Sequence, residues 1–351
     1  MSAIETKNEA AEETAMNDRD RKAEHIELAL DRRTQLDRHF FDEWAFDHQA
    51  LPEIDRAEVD VSTRFLGKEL SAPLLISCMT GGTEIASEIN RNLAVAAERR
   101  GIAVGVGSQR KALEDAETTG SFEMRDAAPT VPLLANLGAV QLNYGYGLAE
   151  CERAVEMVRA DALVLHLNAL QEAIQPEGQC DFSTLLPKMR QVAAELSVPV
   201  IAKEVGCGMT GETAARLAEA GIGIVDVAGL GGTSWARIEA ARADDHDIGE
   251  LFADWGVPTP RSIRECAAVP GMTVIGSGGV RNGLDVAKAI ALGADLVGMA
   301  FPFLAAAMES PERVEAKVAR TVEELTIAMF CLGTRNIEEL KQVPIHRRGE
   351  R

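Results

Sequence analysis

Short apolar runs alternate with longer segments of helical periodicity from about residue 72 onward. The helical segments include 84–100, 183–196, 210–220 and 283–292, in which apolar positions recur at i, i+3 and i+4. The apolar runs number eight and lie at 72–78, 101–106, 131–137, 161–167, 198–204, 222–229, 272–278 and 294–300. Strands that alternate with helices pair in parallel through right-handed crossovers. Eight such units predict an α/β fold, a single (β/α)8 TIM barrel.

An open doubly wound sheet is the alternative arrangement of the same elements. No GxGxxG pattern follows the first apolar run, which disfavours that sheet in its dinucleotide-binding form. Segment 230–260 is predicted to be a long insertion after the sixth strand, and 310–340 to form C-terminal helices outside the barrel. Residues 1–20 are acidic and lack apolar periodicity, so we predict a disordered extension there and one barrel domain over 21–351.

The charge balance narrows the class of partner. The chain has 55 acidic and 36 basic residues, for a formal charge of −19, which argues against binding to nucleic acid or insertion into an anionic membrane. A few local cations can still hold a small anion. None of the six cysteines has CxxC spacing, and no signal or spanning segment is seen, so a cytoplasmic protein is expected.

Glycine-rich and polar residues follow the predicted strands, where the active sites of barrels lie. GSGGVRNGLD, at 276–285, is the sharpest of these segments. Adjacent glycines let the backbone approach an anion, and a helix beginning near residue 283 would direct its N–H groups and dipole toward it. A tight turn is the alternative reading. We predict that Gly278 and Gly279 bind a phosphate group.

Charged side chains near other strand ends are candidates for the chemistry. Lys203 shares a strand face with Ile201, so it would point into the barrel mouth toward an anionic partner, unless it reaches the rim instead. His166 is either a phosphate donor or a core histidine. Glu172 is the candidate Mg²⁺ ligand, with a solvated loop glutamate as the alternative. Other candidate phosphate contacts are Arg110, after the second strand, and the N-terminal cluster Arg21, Lys22 and His25. The N-terminal cluster could equally be the charged end of a helix.

Nine segments in this order resemble the type 2 isopentenyl-diphosphate isomerase family. They are RKAEH (21–25), MTGG (79–82), GSQR (107–110), NLG (136–138), HLNALQE (166–172), QPEG (175–178), AKEVG (202–206), GLGGTSW (229–235) and SGGVRNGLDVAKAIALGA (277–294). The resemblance implies a barrel flavoprotein that interconverts isopentenyl and dimethylallyl diphosphate. It also implies reduced FMN, Mg²⁺ and a nicotinamide coenzyme, usually NADPH, in a tetramer or octamer.

The resemblance also implies roles for individual residues. FMN would be held by Met79, Thr80, Gly81, Ser108, Asn136, Lys203, Thr233, Gly278, Gly279, Val280, Arg281, Ala300 and Phe301. The diphosphate substrate would face Arg21, Lys22, His25, Arg110, His166, Asn168 and Gln171. Gln171, Glu172 and Lys203 would be catalytic, with Glu172 as the Mg²⁺ ligand. One departure is Gln179, where the family tends to carry an acidic residue after PEG.

Other functions remain open at this point. A 2-hydroxy-acid oxidase of the flavin-dependent type needs a histidine base, and GLGGTSWARIE at 229–239 contains none. A barrel similar to IMP dehydrogenase needs a nucleophilic cysteine on a mobile loop, and no cysteine stands at the matching place. A flavin-binding scaffold without catalysis is the third alternative. Within the isomerase hypothesis, the flavin itself is expected to carry the protons, because few acidic side chains occur in these motifs.

Overall fold

The computed structural model describes residues 24–243 and 245–349. The strands in this part of the chain are β1 (Trp44–Phe46), β2 (Thr63–Phe65), β3 (Lys68–Leu70), β4 (Leu74–Ile76), β5 (Ala103–Gly105), β6 (Leu133–Gly138), β7 (Ala162–Leu167), β8 (Val200–Glu204), β9 (Ile224–Asp226), β10 (Thr273–Ser277), β11 (Leu296–Met299) and β12 (Ile345–Arg347). Strands β4 to β11 are parallel and close into a barrel, each overlapping one predicted apolar run. The predicted (β/α)8 fold is confirmed.

Helices surround the barrel. They are α1 (24–30), α2 (Glu84–Arg100), α3 (Arg110–Glu114), α4 (Leu148–Val158), α5 (Ala169–Ile174), α6 (Leu185–Glu195), α7 (Gly211–Glu219), α8 (Trp235–Arg242), α9 (His246–Leu251), α10 (Thr259–Ala267), α11 (Gly283–Ala291), α12 (Phe301–Glu309), α13 (Pro311–Leu332) and α14 (Ile337–Lys341). Short 3-10 helices cover Arg32–Thr34, Phe40–Glu43, Arg56–Glu58, Ala116–Phe122 and Ala139–Asn143. The residues that flank α2 explain where this helix begins and ends. The Thr83 side chain caps its first turn, and Gly101, at φ +63°, ends it in the left-handed conformation that glycine adopts without strain.

The two faces of the barrel strands bury different sets of aliphatic side chains. The interior is filled by Leu75, Ala103, Leu134, Ala162, Val164, Ile201, Ile275 and Leu296. The outer faces, which pack against the helices, contribute Ile76, Val104, Ala135, Leu163, Leu165, Ala202, Val225, Val274 and Val297. This alternation follows the two-residue period of a strand. It means that polar residues two positions beyond the interior set also face the barrel axis.

Two small antiparallel pairings complete the fold, and the sequence patterns did not indicate them. β2 and β3 form a hairpin whose Phe65 and Leu70 pack on the interior cluster, so the hairpin closes the N-terminal end of the barrel. β1 pairs with β12, with Trp44 opposite Arg347, which joins the early part of the chain to its last described strand. Among the described helices, none combines the length and apolar character needed to cross a membrane. The predicted extension, residues 1–20, lies outside the described residues.

Candidate active site

A cleft of about 310 Å³ opens at the carboxyl ends of the barrel strands. All the predicted site residues that the structure describes line it: His25, Met79, Thr80, Gly81, Ser108, Arg110, Asn136, His166, Asn168, Gln171, Glu172, Lys203, Thr233, Gly278, Gly279, Val280, Arg281, Ala300 and Phe301. Arg21 and Lys22 lie outside the described residues. All eight barrel strands and α1 therefore bring these segments together, as the barrel hypothesis requires.

One side of the cleft is a turn of backbone, residues 278–281, which we term the phosphate loop. Gly278 and Gly279 have φ values of +102° and +70°. A Cβ added at Gly279 would lie 2.3 Å from the carbonyl oxygen of Gly231, so the loops after β9 and β10 are in backbone contact. The loop leads into α11, capped by the Asn282 side chain. Glycine backbone before a helix N-terminus suits a phosphate group.

Residues 35–39, which follow α1, contact the phosphate loop and the two segments next to it. The Arg281 guanidinium donates to the carbonyl of Leu36 at 3.0 Å, and the Gln35 amide donates to the Thr233 hydroxyl at 2.9 Å. His39 Nε2 lies 3.1 Å from a carboxylate oxygen of Asp285. The side chain of Arg281 therefore stabilises the loop, so a phosphate bound there would depend mainly on backbone N–H groups.

The floor of the cleft carries a buried pair of opposite charges. Lys203 on β8 lies in register with Asp226 on β9, and both are nearly inaccessible to solvent. Lys203 Nζ donates to the carbonyl of Glu204 at 2.5 Å, and Asp226 accepts from the Ser277 hydroxyl at 2.5 Å. Burial raises the pKa of Asp226, and the charge of Lys203 opposes that rise. A negative group bound above Lys203 would share its charge with this carboxylate.

Two other groups at the floor are held neutral. Burial, followed by the positive charges of Lys203 and Arg110, lowers the pKa of His166 to about 3. Its Nδ1 lies 2.8 Å from Asn136 Oδ1, and the Asn136 amide N–H donates to a backbone carbonyl, so Nδ1 is assigned the hydrogen. Burial raises the pKa of the Cys78 thiol to about 12. His166 would therefore have to gain a proton before Nε2 could donate to a phosphate.

The opposite side of the cleft is lined by the side chains of Asn168, Gln171 and Glu172, with Glu239 buried behind Gln171. We term these four residues the carboxylate cluster. Glu172 is buried and accepts three hydrogen bonds from neutral donors. They come from the Asn168 amide at 2.8 Å, the Gln175 amide at 3.1 Å and the Gln179 backbone N–H at 2.7 Å. These contacts hold the carboxylate in place without neutralising its charge.

The oxygen atoms of Asn168 and Glu172 fit a hard divalent cation. Asn168 Oδ1 is buried and has no hydrogen-bond partner within residues 24–243 and 245–349. Mg²⁺ prefers oxygen ligands and commonly takes one or two carboxylates together with phosphate oxygens of a substrate. The described part of the chain contains no group of three His, Cys, Asp or Glu side chains arranged for a metal. An ion bound by Glu172 would therefore need oxygens from a ligand.

Glu239 is the cluster residue that the sequence analysis missed. It is completely buried on α8 and accepts from the Gln171 amide at 2.7 Å. His25 Nε2 lies 3.1 Å from the same oxygen, Oε1. Burial alone would raise the pKa of Glu239, but the contact with His25 and hydrogen bonds from Gln171 and Arg242 together hold the pKa below its ordinary value. The cluster therefore contains a second ionised carboxylate.

Comparisons with known proteins identify the family of this chain. A family model for FMN-dependent dehydrogenases matches residues 23–129 and 151–347. The isopentenyl-diphosphate delta-isomerase of Nostoc sp. is 50% identical over 92% of this chain and 93% of that protein. The enzymes of the same name from Synechococcus sp. and Methanothrix thermoacetophila are 51% and 48% identical, over 89% and 93% of this chain and 91% and 92% of theirs. The chain belongs to the isopentenyl-diphosphate delta-isomerase family.

Solved structures share the fold with this member of the isomerase family. A mandelate oxidase variant with a monooxide FMN adduct superposes with a TM-score of 0.64 at 19% identity, covering 92% of both chains. A putative lactate oxidase of Pediococcus acidilactici gives 0.67 at 19% identity, over 88% of this chain and 84% of that one. At this level of identity the likeness establishes the barrel fold alone.

The sequence analysis missed two residues near the site, Asp226 and Glu239, and different sequence signals could have indicated each of them. Asp226 lies two positions after Ile224 on a barrel strand, so the two-residue period already directed it inward, as it did Lys203. Glu239 lies one helical turn after Trp235, a residue that lines the cleft, so helical spacing could have placed both on the side of α8 that faces the site. No strand or loop motif marked Glu239, since α8 falls in the segment predicted as an insertion.

Proposed function

We propose that this chain interconverts isopentenyl diphosphate and dimethylallyl diphosphate, with reduced FMN, Mg²⁺ and NADPH as cofactors. The main support is that one cleft is lined both by the backbone phosphate loop and by Asn168, Gln171 and Glu172 of the carboxylate cluster, two differently built sites for phosphorylated molecules. Identity of 50% to a curated isomerase over nearly the whole chain supports the same reaction. The family model named for FMN-dependent enzymes supports the flavin.

FMN is assigned to the phosphate-loop side of the cleft. Its phosphate would bind the backbone of Gly278 to Arg281, and Lys203 would stabilise negative charge at the edge of the ring. Reduced FMN, held by these residues, would supply an electron-rich ring for the isomerisation. The remaining cleft residues proposed to contact FMN are Met79, Thr80, Gly81, Ser108, Asn136, Thr233, Ala300 and Phe301.

The substrate is assigned to the carboxylate-cluster side. Glu172 would hold Mg²⁺, which together with the basic side chains neutralises the diphosphate and lets remote binding energy orient the alkene. The other residues proposed to contact the diphosphate are Arg21, Lys22, His25, Arg110, His166, Asn168 and Gln171. Isomerisation adds a proton at one carbon and removes a proton two carbons away, so positive charge develops between them. The Glu239 carboxylate, buried behind Gln171, would stabilise that charge through its electrostatic field. His25, which lines the cleft and contacts Glu239, would pass a proton between that carboxylate and the cleft.

The decisive assay incubates the purified protein with FMN, NADPH, Mg²⁺ and isopentenyl diphosphate, and measures dimethylallyl diphosphate. The Glu172→Gln variant should lose at least ~100-fold in kcat/KM while it keeps the yellow colour of bound FMN, because only the metal ligand has changed. Glu195→Gln makes the same charge change at an exposed position of α6 and serves as the control. Tight FMN binding by wild type without any product would favour the scaffold alternative and reject an isomerase.

Oxidation of a 2-hydroxy acid is the competing flavin chemistry, since the structural neighbours include mandelate and lactate oxidases. His166 would be a weak general base, because its pKa of about 3 lies far below neutral pH. Steady reduction of the bound flavin by lactate or glycolate would support the oxidase. We expect no such reduction, and reduction by NADPH instead, which anaerobic absorbance spectra would separate.

The proposed assembly is a homo-oligomer, a tetramer or an octamer. Leu251 is the last residue of α9, and Trp255 lies four residues later in the chain. Their side chains are large and apolar, and the two residues are 72% and 62% exposed. Large exposed apolar side chains close together mark a surface suited to association. Light scattering on the FMN-loaded protein would give the mass, and a monomer at all concentrations would contradict the proposal.

A further inference from the structure

Arg242 joins three segments around the substrate side of the cleft. It is the last residue of α8, and its side chain is only 12% exposed. The guanidinium lies 2.7 Å from Glu239 Oε2, 2.9 Å from Glu177 Oε1 and 3.2 Å from Glu24 Oε2. Its three nitrogens therefore each contact a different carboxylate, and those carboxylates come from α8, the loop after α5, and α1.

Each of these segments carries a residue of the proposed substrate site. On α1, Glu24 directly precedes His25, which contacts Glu239. In the loop after α5, Glu177 lies between Gln175 and Gln179, which both donate to Glu172. Glu239 itself holds Gln171. One buried guanidinium thus contacts every segment that supports the carboxylate cluster, although Arg242 does not line the cleft.

We propose that Arg242 is a positioning residue that fastens α1 and the 175–179 loop to Glu239, so that the substrate side assembles as one unit. The proposal rests on the proposed function for its effect on turnover. Arginine suits this task because its planar fork presents five N–H donors in fixed directions, whereas lysine offers one compact charge. Replacement by lysine should therefore retain the charge beside Glu239 but not all three contacts.

The three contacts differ in strength. The Glu239 side chain is fully buried, and losing the partner of a buried charge leaves that charge uncompensated. The Glu24 and Glu177 side chains are 55% and 44% exposed, where solvent screens an ion pair. The groups facing Glu239 are His25 from α1, Gln171 from α5 and Arg242 from its own helix. Removal of Arg242 raises the pKa of Glu239, because one of the contacts that lower it is lost.

The test uses Arg242→Met and Arg242→Lys in the full-length, FMN-loaded protein. For Arg242→Met we expect kcat/KM to fall at least ~10-fold, mainly through KM, and the acidic limb of its pH profile to move to higher pH. Arg242→Lys should return the acidic limb toward its original position while KM stays raised. FMN affinity should change less than about two-fold, because the phosphate loop is untouched. Arg261→Met, which removes an exposed ion pair on α10, should match wild type.

Hydrogen exchange gives a readout that does not depend on the reaction. Backbone amides of residues 24–31 and 175–179 should exchange faster in Arg242→Met than in wild type or Arg261→Met. Unchanged exchange in both segments would overturn the proposal, as would an unshifted pH profile in an active Arg242→Met. Should Arg242→Met not fold, the Glu24→Gln/Glu177→Gln double variant must show the faster exchange. If the wild-type protein does not isomerise the substrate, the proposed function is rejected. The hydrogen-exchange result would still show whether Arg242 holds the two segments in place.

Discussion

The phosphate loop and the carboxylate cluster lie in one cleft but are built from different materials. The phosphate loop is backbone, closed so tightly against the Gly229–Gly231 turn that two glycines there have no room for a Cβ. The carboxylate cluster is made of side chains held by hydrogen bonds and ion pairs from α1, α5 and α8. The first site is therefore sensitive to added volume, and the second to charge and protonation.

The largest effect expected from this comparison is at the phosphate loop. Gly279→Ala places a Cβ against the Gly231 carbonyl at a φ of +70°, so one of the two loops has to move. We expect FMN to bind at least ~100-fold more weakly, as measured by quenching of flavin fluorescence. Gly223→Ala is the control, because a Cβ there meets nothing within 4 Å. Unchanged FMN affinity in Gly279→Ala would mean that the phosphate is held elsewhere.

Lys203 and Asp226 lie beneath both sites, so we expect substitutions of these two residues to change the stability of the fold. Lys203→Met leaves the Asp226 carboxylate buried without a nearby cation, and we expect the free energy of unfolding to fall by about 2 kcal/mol. Asp226→Asn in the same background should recover part of that loss, because the uncompensated charge is gone. Urea titrations of the four proteins measure the coupling. Additive effects of the two substitutions would show that the pair does not interact.

His166 offers a finer test through pH. Its pKa is about 3 in the folded protein against 6.5 for an exposed histidine, so the unfolded chain binds the extra proton first. Stability from this group is complete above pH 6.5 and decreases as the pH falls from there toward 3, by at most about 1.4 kcal/mol per pH unit. His166→Gln should remove that part of the slope in urea midpoints measured between about pH 7 and about pH 5. An unchanged slope would mean that His166 is already protonated when folded.

The smallest effect is expected at Gln179, the position at which the family resemblance implied an acidic residue. Gln179 contacts Glu172 through its backbone N–H, and its side-chain oxygen accepts from Gln141 at 2.7 Å. A glutamate can accept the same bond, so Gln179→Glu should change kcat/KM by less than about two-fold. A large loss would indicate that negative charge at this position reaches Glu172 and the proposed metal.

The contrast between the backbone phosphate loop and the side-chain cluster also explains which features of the structure could be predicted from the sequence. The eight strand runs, α2 and the phosphate loop follow from local patterns of apolar residues and glycine, and the structure has all of them. Glu239 depends on the packing of α8 against α1 and α5, which no local pattern encodes. The β2–β3 hairpin was missed for the same reason, because its strands are only three residues long and are defined by packing under the barrel. Site roles inferred from the family resemblance remain predictions.

The β2–β3 hairpin at the base of the barrel has a consequence for how ligands enter and leave the cleft at the opposite end. Phe65 and Leu70 pack against the interior cluster at the base, and in the described part of the chain the cleft opens at the carboxyl ends of the strands. FMN and the diphosphate, bound on the two sides of the cleft as proposed, would both enter and leave through this opening. Excess isopentenyl diphosphate should accordingly slow the release of FMN, which flavin fluorescence would measure as a function of diphosphate concentration.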